Sequence, residues 1–555
     1  MLLLLAASLS GFGQPTYNNL YGDEVTTRIS NSTRLIGDNP VLFSLVYDEE
    51  TGFYGTELMR LSQDGEAISA DTTVFSCCPF IFIGHTGSYE STTDGGAIWT
   101  GTSSAMGLVA RFDENLDTLW TQIYDDIGVY PIDAFDQVVA LDNGHSIIAG
   151  RAFVDFAPRT CVLEIDETGQ VEWISDDFVD INGMYEGPFD LELDANGKVY
   201  VTGLRYSADE SVPYVACYDQ TGNFLWDAEL GGDQFFSSLI KVLTLNDNSV
   251  LTCYLHADSL INPNVVDSSI GEIRYSHFDS EGNLLSEFER GATKYFGVVR
   301  DLVQQDDGSI LAVGNEWTGI GAYTTSWLQK LDSSYEFQSE NSYEYMGCNF
   351  CTNQLNSITI EPDGSYLLSG YVLLDTLQYD FLQQSWVVKT DCEGRMEPPP
   401  LELDLEFAII NDSTFSIAAN ENVFHEYYWD FDDGTTTWGD SVAHAFDSTG
   451  WYDIHLTAYY CNYQVDSIIP FTATVGTNES SHVPAFKLYP NPTSGNSTVV
   501  FPSATTHPLR VTDLHGRTLY YTKRPEQSHS IPSASWLPGM YIVTSGAWSE
   551  KLIRN

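Results

Sequence analysis

Apolar and polar residues alternate in short runs along the first 400 residues, and the runs recur at regular intervals. In residues 304–314 a polar turn precedes a strand of period two, an alternation typical of a β-strand with one buried face. Six turns of this kind stand 49 to 60 residues apart, at positions 95, 144, 197, 248, 308 and 364. A weaker seventh copy starts at Gly37, so the pattern predicts seven repeated β units.

A second marker, an acidic turn that ends a strand and often precedes Trp, recurs between the first ones. Its copies begin at Leu61, Phe112, Ile165, Tyr218, Phe278, Leu331 and Thr390. Repeats of roughly 40 to 60 residues with several short strands each are typical of a β-propeller. Its sheets stack radially because one four-stranded sheet cannot bury both of its faces alone. We therefore expect an all-β fold with a seven-bladed β-propeller over residues 16–397.

The start of the predicted propeller resembles the end of a repeat. Residues 17–23 (YNNLYGD) are similar to fourth strands such as WTQIYDD from Trp120, and the last repeat lacks such a strand. We expect residues 16–22 to complete the seventh blade, which would close the ring and remove its exposed sheet edges.

The first 13 residues, MLLLLAASLSGFG, are apolar and end in small residues, which predicts a cleaved secretory signal peptide. A positive n-region is missing, so the true start of the protein could lie upstream. A membrane anchor is the alternative, but about 10 apolar residues are fewer than the roughly 20 that a spanning helix needs. After signal removal we expect no transmembrane segment.

Beyond the proline linker at 398–400, residues 401–475 hold alternating strands around YYWDFDDGTTTWGD, which starts at Tyr427. A Trp-centred strand followed by a DG turn indicates a small sandwich. The segment resembles the PKD domain, an immunoglobulin-like sandwich. The family's W-D-F-G-D-G is matched by residues 429–434, with Asp432 in place of the first Gly, and its later signals by His444, Phe446, Gly450 and Tyr452.

Three carboxylates in this turn, Asp430, Asp432 and Asp433, are candidate ligands for Ca²⁺, which prefers oxygen donors. The alternative is a solvated turn in which one Asp caps the backbone. No other cofactor is expected.

The last segment, residues 485–555, differs sharply in charge from the rest. It carries seven Lys and Arg against three Asp and Glu, a net charge of +4, whereas the whole chain is at −55. This contrast indicates a module with a separate task. The segment resembles the type A C-terminal sorting domain of the type IX secretion system, through FKLYPNPTSG from Phe486, VTDLHGRTL from Val511, LPGMYIV from Leu537 and the terminal KLIRN.

This resemblance implies a small β-sandwich that the type IX translocon recognises as an export signal. The protein would then be secreted or attached to the outer cell surface. An ordinary C-terminal β-domain is the alternative. The candidate sorting residues are Tyr489, Pro490, Asn491, Pro492, Gly516, Arg517, Gly539, Tyr541 and Lys551.

The net charge of −55 argues against two classes of partner, nucleic acids and anionic membranes, because both would repel the protein. Nine cysteines fit an oxidising compartment, but their number is odd. Cys348 and Cys351 are spaced for a local disulfide, and a metal site would need more ligands than this pair offers. Cysteines in apolar strand runs are expected to be free core residues, namely Cys161, Cys217, Cys253 and Cys461.

No catalytic signature is present: the chain has no HExxH, GxSxG or phosphate-binding loop. Thr92, Asp94, Gly96 and Trp99 resemble the Asp-box of sialidase propellers, which is a structural turn even in those enzymes. A glycoside hydrolase would need two carboxylates at a set separation, and 78 acidic residues do not single out a pair.

The sequence therefore favours a non-catalytic binding or adhesion protein whose propeller recognises an extracellular glycan or protein. The PKD-like unit would serve as a spacer or an auxiliary contact. The alternatives are a polysaccharide-degrading enzyme, which would show perturbed carboxylates in the propeller channel, and a structural component of a surface layer. The binding hypothesis rests on the common use of propeller faces and channels as ligand sites.

Overall fold

The computed structural model is an all-β protein. It describes most of the chain. The described residues are 7–9, 16–22, 26–37, 39–48, 53–74, 81–83, 88–155, 157–175, 184–207, 211–231, 240–256, 270–289, 294–295, 298–317, 324–345, 351–376, 379–397, 399–401, 403–419, 423–461, 463–475, 486–546 and 548–555.

Contacts divide the chain into two compact units, residues 12–400 and residues 401–555 together with residues 1–11. In the first unit, the described strands form seven antiparallel sheets, each with one copy of the repeated turn (at position 37, 95, 144, 197, 248, 308 or 364) between two consecutive strands. The propeller class that the repeats predicted is confirmed.

In sheets 1, 3 and 4 neighbouring strands follow the order of the chain, whereas in sheet 2 the two short strands Ile81–Ile83 and Tyr89–Ser91 both pair with Ala97–Ser103. Sheet 1 consists of Thr26–Ile36, Asn39–Asp48, Phe53–Leu61 and Ala67–Val74. Sheet 2 consists of Ile81–Ile83, Tyr89–Ser91, Ala97–Ser103, Gly107–Phe112 and Thr118–Tyr124. Sheet 3 consists of Asp126–Ile127, Tyr130–Ala140, Ser146–Val154, Ala157–Ile165 and Val171–Ile174. Sheet 4 consists of Tyr185–Leu193, Val199–Tyr206, Ser211–Tyr218 and Phe224–Glu229.

The remaining three sheets repeat the same plan with two exceptions. In sheet 5 the short strand Lys294–Tyr295 pairs with Ile270–Phe278. Sheet 7 takes its outer strand from the start of the unit. Sheet 5 consists of Lys241–Thr244, Val250–His256, Ile270–Phe278, Leu284–Glu289 and Lys294–Tyr295. Sheet 6 consists of Val298–Gln304, Ile310–Trp317, Thr324–Leu331 and Phe337–Tyr343. Sheet 7 consists of Thr352–Ile360, Tyr366–Thr376, Tyr379–Lys389 and Tyr17–Tyr21.

One strand of each sheet, here called its inner strand, contacts the inner strands of the two neighbouring sheets. Within the described residues these contacts run from sheet 1 through sheet 7 and back to sheet 1, so the inner strands form a closed ring. The inner strands are Thr26–Ile36, Tyr89–Ser91, Tyr130–Ala140, Tyr185–Leu193, Lys241–Thr244, Val298–Gln304 and Thr352–Ile360. The faces between sheets are filled by buried aliphatic and aromatic side chains.

The strand Tyr17–Tyr21 closes the ring by pairing antiparallel with Tyr379–Lys389. The Trp386 indole N–H donates to the Asn18 side chain at 2.6 Å, and the Tyr21 hydroxyl donates to the Gly65 carbonyl of sheet 1 at 2.6 Å. The prediction that residues 16–22 complete the last repeat is confirmed. One strand thus joins sheet 7 to sheet 1.

The Trp residues that follow the acidic turns explain the second sequence marker. Trp120, Trp173 and Trp226 lie on the outer strands of sheets 2, 3 and 4, and each packs on the turn glycine of the next sheet. The Trp120 indole N–H also donates to the Glu167 carbonyl in the turn of sheet 3, at 3.0 Å. The acidic part of the marker therefore forms a turn, and its Trp forms a contact with the next sheet.

The second unit begins with the strands predicted for the PKD-like sandwich. One sheet contains Glu426–Asp430, Thr436–Trp438, Gly450–Tyr460, Tyr463–Ala473 and Ala7–Leu9, and the other contains Leu405–Asn411, Thr414–Ala419 and Ser441–Ala445. The residues that carried the resemblance form the core: Trp429 is fully buried, and the rings of Phe446 and Tyr452 stack at 3.9 Å.

The C-terminal residues form two small sheets around one apolar core. One sheet contains Lys487–Tyr489, Ser497–Val500 and Ser528–Ile531, and the other contains Leu509–Thr512, Thr518–Thr522, Gly539–Ser545 and Trp548–Arg554. A single 3₁₀ turn, Ser533–Ser535, lies between them in the chain.

The cysteines follow the predictions in part. Cys161, Cys217 and Cys253 are buried and free, as expected. Cys461 is disulfide-bonded, so its prediction as a free core cysteine is wrong. It lies in the turn after Gly450–Tyr460, half-buried at a φ of 52°, and outside the strands that form the core. Cys351 is also disulfide-bonded, whereas Cys348 lies outside the described residues, so their pairing stays a prediction.

Deletion of residues 16–22 should lower the melting temperature by many degrees, because sheet 7 would lose its outer strand and expose an edge. Differential scanning calorimetry of the deleted and intact proteins measures the change. An excess of a synthetic peptide of residues 16–22 should restore part of the loss. An unchanged melt would contradict ring closure by this strand.

Substitution of Gly222 by Ala should destabilise the propeller more than substitution of Gly128. Both glycines have a positive φ, 82° and 67°, which costs an L-residue about 1–2 kcal/mol. A Cβ on Gly222 would lie 2.4 Å from Trp173, whereas one on Gly128 meets nothing within 4 Å. We expect a free energy of unfolding lowered by roughly 2–4 kcal/mol for Gly222→Ala and by about half as much for Gly128→Ala. Equal losses in chemical denaturation would contradict the packing of Trp173 on this turn.

Candidate functional site

A β-bulge interrupts five of the inner strands. The pairing register shifts by one residue between Ser30 and Ser32, and equivalent shifts occur in sheets 3, 4, 6 and 7. A bulge turns the following side chain away from the regular alternation of a strand. The inner strand of sheet 3 has two such shifts, and the second precedes Gln137. The post-bulge residues, one after a bulge in each strand, are Ser32, Gln137, Asp190, Asp301 and Ser357.

Four of these post-bulge residues bridge to the next inner strand by accepting or donating a hydrogen bond. Asp190 accepts from the Val242 amide at 2.9 Å, and Asp301 accepts from the Ile358 amide at 3.0 Å. The Ser357 hydroxyl accepts from the Thr33 amide at 3.1 Å, and the Gln137 side chain donates to the Phe189 carbonyl at 2.8 Å. These polar side chains thus form hydrogen bonds with backbone groups of the neighbouring inner strand, a link that no strand pairing between sheets provides among the described residues.

Asp190 also forms a buried ion pair. Its carboxylate lies 2.6 Å from the Lys241 ammonium, and the two side chains are 7% and 5% exposed. A buried pair of this kind costs desolvation energy, and removal of one partner leaves the other charge uncompensated. The pair therefore fixes the inner strands of sheets 4 and 5 against each other.

A cavity of about 760 Å³ lies among the inner strands of sheets 1, 4, 6 and 7. Arg34 and Glu192 line it, and each lies two positions after a post-bulge residue, where strand alternation returns to the same face. Asp301 and Thr359 line it as well, together with the turn residues Gln304 and Gln305 and their neighbours. The cavity wall combines a guanidinium, carboxyl groups, amides and a hydroxyl.

Charges in this region are only partly balanced. Arg34 lies 3.4 Å from Glu90, and both side chains are half-buried. Desolvation and the neighbouring carboxylates Asp190, Asp301 and Glu90 raise the pKa of Glu192 to about 8, against the opposing effect of Lys241. Glu192 is therefore largely a neutral carboxylic acid at pH 7, able to donate a hydrogen bond as well as accept one.

The sequence analysis did not single out these cavity residues. A signal did exist, since Asp190 and Asp301 each lie seven positions before the turn glycine of their sheet, Gly197 and Gly308. Alignment of the repeats on their turn glycines would have placed both carboxylates at one position of the inner strand. The bulge that turns them toward the next strand depends on strand pairing, which the local pattern does not contain.

The three candidate calcium ligands have separate partners in the PKD-like sandwich. Asp430 accepts from the Asp432 amide at 3.0 Å, and Asp432 accepts from the Asp453 amide at 3.2 Å. Asp433 accepts from Thr435 and lies 2.8 Å from the His444 ring nitrogen Nε2. These bonds are those of a turn organised by its own backbone, and the calcium site stays a prediction.

The Asp-box-like segment is a structural turn. The Thr92 hydroxyl and the Gly96 amide donate to Asp94, whose other oxygen lies 2.7 Å from the Arg111 guanidinium. Although desolvation opposes the change, these hydrogen bonds lower the pKa of Asp94. Trp99 is fully buried between sheets 1 and 2. The segment thus holds sheet 2 together and adds nothing to the cavity.

The candidate sorting residues fall into two groups. In one group, the Asn491 side chain donates to the Lys551 carbonyl at 2.5 Å and accepts from the Ile553 amide at 2.8 Å, so the segment Tyr489–Pro492 holds the C-terminal strand. In the other group, Gly516 and Arg517 form a turn and Gly539 and Tyr541 begin a strand. This second group borders a surface groove lined by residues of 513–519 and 535–541.

Family comparisons identify two of the domains. Residues 406–463 match the PKD domain, and residues 487–554 match the secretion system C-terminal sorting domain. Both resemblances inferred from the sequence are thereby confirmed. No curated protein matches the sequence.

Comparisons with solved structures give distant similarities to several proteins. The α-L-arabinofuranosidase Arb93A from Fusarium graminearum is 11% identical with a TM-score of 0.38, over 54% of this chain and 91% of that one. A protein of unknown function from Dyadobacter fermentans is 12% identical with a TM-score of 0.35, over 60% of this chain and 98% of that one. The WD40 domain of Toxoplasma gondii coronin is 9% identical with a TM-score of 0.35, over 69% and 88% of the two chains. These similarities carry no argument about function.

The sorting domain marks the protein for export by the type IX secretion system, to be secreted or attached to the outer surface. Within the described residues, the structure has no helix that is long and apolar enough to cross a membrane.

Substitution of Glu192 by Gln should change how stability depends on pH. Folding raises the pKa of Glu192 from its usual value of 4.5 to about 8, so this carboxyl group loses its proton at lower pH in the unfolded chain than in the folded protein. As the pH rises from about 4.5 to 8, the free energy of unfolding of the wild type should therefore decrease relative to that of the variant, whose side-chain amide at this position does not titrate. The melting temperature of Glu192→Gln minus that of the wild type should grow from pH 5 to pH 9. Glu172→Gln, on the outer strand of sheet 3, is the control; a constant difference for Glu192→Gln would contradict the burial of this carboxyl.

Proposed function

We propose that this exported protein binds a neutral, hydroxyl-rich ligand, such as the end of an extracellular glycan, in the propeller cavity. The observation that carries the proposal is the set of donors and acceptors on the cavity wall. Arg34 donates, Asp301 accepts, and Glu192 does both when it is protonated. Sugar hydroxyls also donate and accept, so such a wall suits them.

The charge of the protein supports a ligand without negative charge. The chain has a net charge of −55, which repels polyanions, and the carboxyl groups around Arg34 outnumber that guanidinium. The size also fits, since sites for small ligands occupy about 300–1,000 Å³. A cavity of about 760 Å³ would hold one to a few sugar units.

Hydrolysis of a polysaccharide is the second candidate function. It is favoured by the raised pKa of Glu192, because glycoside hydrolases use one neutral carboxylic acid beside an ionised carboxylate. In this cavity Glu192 would be the acid and Asp301 the carboxylate. Asp301 also accepts the hydrogen bond from Ile358, so this role would compete with its link between sheets 6 and 7.

Glycan-array screening of the mature protein, followed by isothermal titration calorimetry, tests the binding proposal. Neutral oligosaccharides should bind, and Arg34→Gln and Glu192→Ala should each weaken binding by roughly tenfold, as expected for loss of one polar anchor in a buried site. Glu172→Gln should bind as the wild type does.

Equal binding by the wild type and both cavity variants would contradict the site, and the absence of any binding to neutral glycans would contradict the ligand class. The same oligosaccharides, incubated with the protein and assayed for new reducing ends, separate the two functions. If the wild type releases reducing ends and Glu192→Gln does not, hydrolysis is the function and the proposal of binding alone is wrong.

A further inference from the structure

The sorting domain has a surface groove of about 440 Å³ that brings together two motifs far apart in sequence. One wall is the turn 513–517, and the other is the loop and strand start at 535–541. Leu514, Leu537 and Met540 line it and are 56%, 79% and 38% exposed. Apolar side chains grouped on the surface of a small domain are typical of an interaction site.

The local structure holds these side chains outward. Asp513 accepts from the amides of His515 and Arg517 at 3.1 and 2.9 Å, which fixes the turn that carries Leu514. The Tyr541 hydroxyl donates to the Leu537 carbonyl at 2.7 Å, which fixes the other wall. The exposure of the two leucines therefore results from ordered turns.

Charge and strand register extend this surface. The Arg517 guanidinium lies at the rim, bonds Asp513 at 3.0 Å and is 76% exposed, so it can meet a second carboxylate. Met540 pairs with Ile553 across the last two strands, which places both side chains on one face. The apolar surface thus continues onto the C-terminal strand that Asn491 holds in place.

We propose that this groove is the surface by which a component of the secretion system recognises the domain. The component would insert an apolar side chain between Leu514 and Leu537 and place a carboxylate against Arg517. The match to a secretion system sorting domain implies a reader in that system, and the net charge of +4 over residues 485–555 favours an acidic one. The sorting motif would then have two tasks: the segment around Asn491 stabilises the fold, and the groove binds.

The test is export of the full chain in a host with a type IX secretion system, with the protein measured in the periplasm and in the surface plus medium fractions. Leu537→Gln should reduce the exported fraction about tenfold or more, as expected for loss of a central apolar anchor. Leu537→Met keeps an apolar side chain and should restore export. Tyr521→Ser changes an exposed ring outside the groove and should export as the wild type does.

Melting temperatures of the purified proteins separate recognition from folding. Leu537 is largely exposed, so Leu537→Gln should melt within a few degrees of the wild type, whereas Asn491→Ala should melt lower because it loses two hydrogen bonds to the last strand. Normal export of Leu537→Gln would overturn the proposal, and so would failure of Leu537→Met. If Leu537→Gln is unstable, Arg517→Gln provides the second variant, and unchanged export of that variant would count against the charged rim.

Discussion

The propeller depends on how its inner strands are joined to one another. Backbone pairing holds each sheet together, but among the described residues no strand pairing connects one inner strand to the next. At four of the seven junctions, side chains after the bulges provide that connection, through Gln137, Asp190, Asp301 and Ser357. Buried backbone groups must find partners, so these residues stabilise the ring together with the apolar faces between sheets.

The same constraint produces the candidate site. Residues that bridge inner strands must be polar and must lie at the axis, which brings carboxyl groups close together in a half-buried space. Desolvation and the repulsion of neighbouring carboxylates raise the pKa of Glu192, while Lys241 forms an ion pair with Asp190. A cavity with mixed donors and acceptors is therefore a consequence of joining the sheets, and a ligand would use Arg34 and Glu192, which line the cavity and take no part in these joints.

The sequence predicted those features that are encoded locally. Turn glycines and acidic turns marked the repeats, the likeness of residues 17–23 to a fourth strand predicted the closing strand, and the motifs of the last two domains were specific enough to identify them. The cavity was not predicted, because the direction of Asp190 and Asp301 depends on bulges set by strand register. The error at Cys461 has a similar origin, since an apolar neighbourhood in sequence does not tell which groups meet in space. The groove of the sorting domain needed the fold as well, because two strands of different sheets, Thr518–Thr522 and Ser528–Ile531, separate Leu514 from Leu537 in the chain.

Amide hydrogen exchange, read residue by residue, tests the role of the post-bulge residues most directly. The amides of Val242, Ile358 and Thr33 donate to side chains of the neighbouring sheet. If these bonds hold the ring, the three amides should exchange as slowly as strand-paired amides, and Asp190→Ala should speed exchange at Val242 far more than at Thr33. Rapid exchange of all three amides in the wild type would contradict the account.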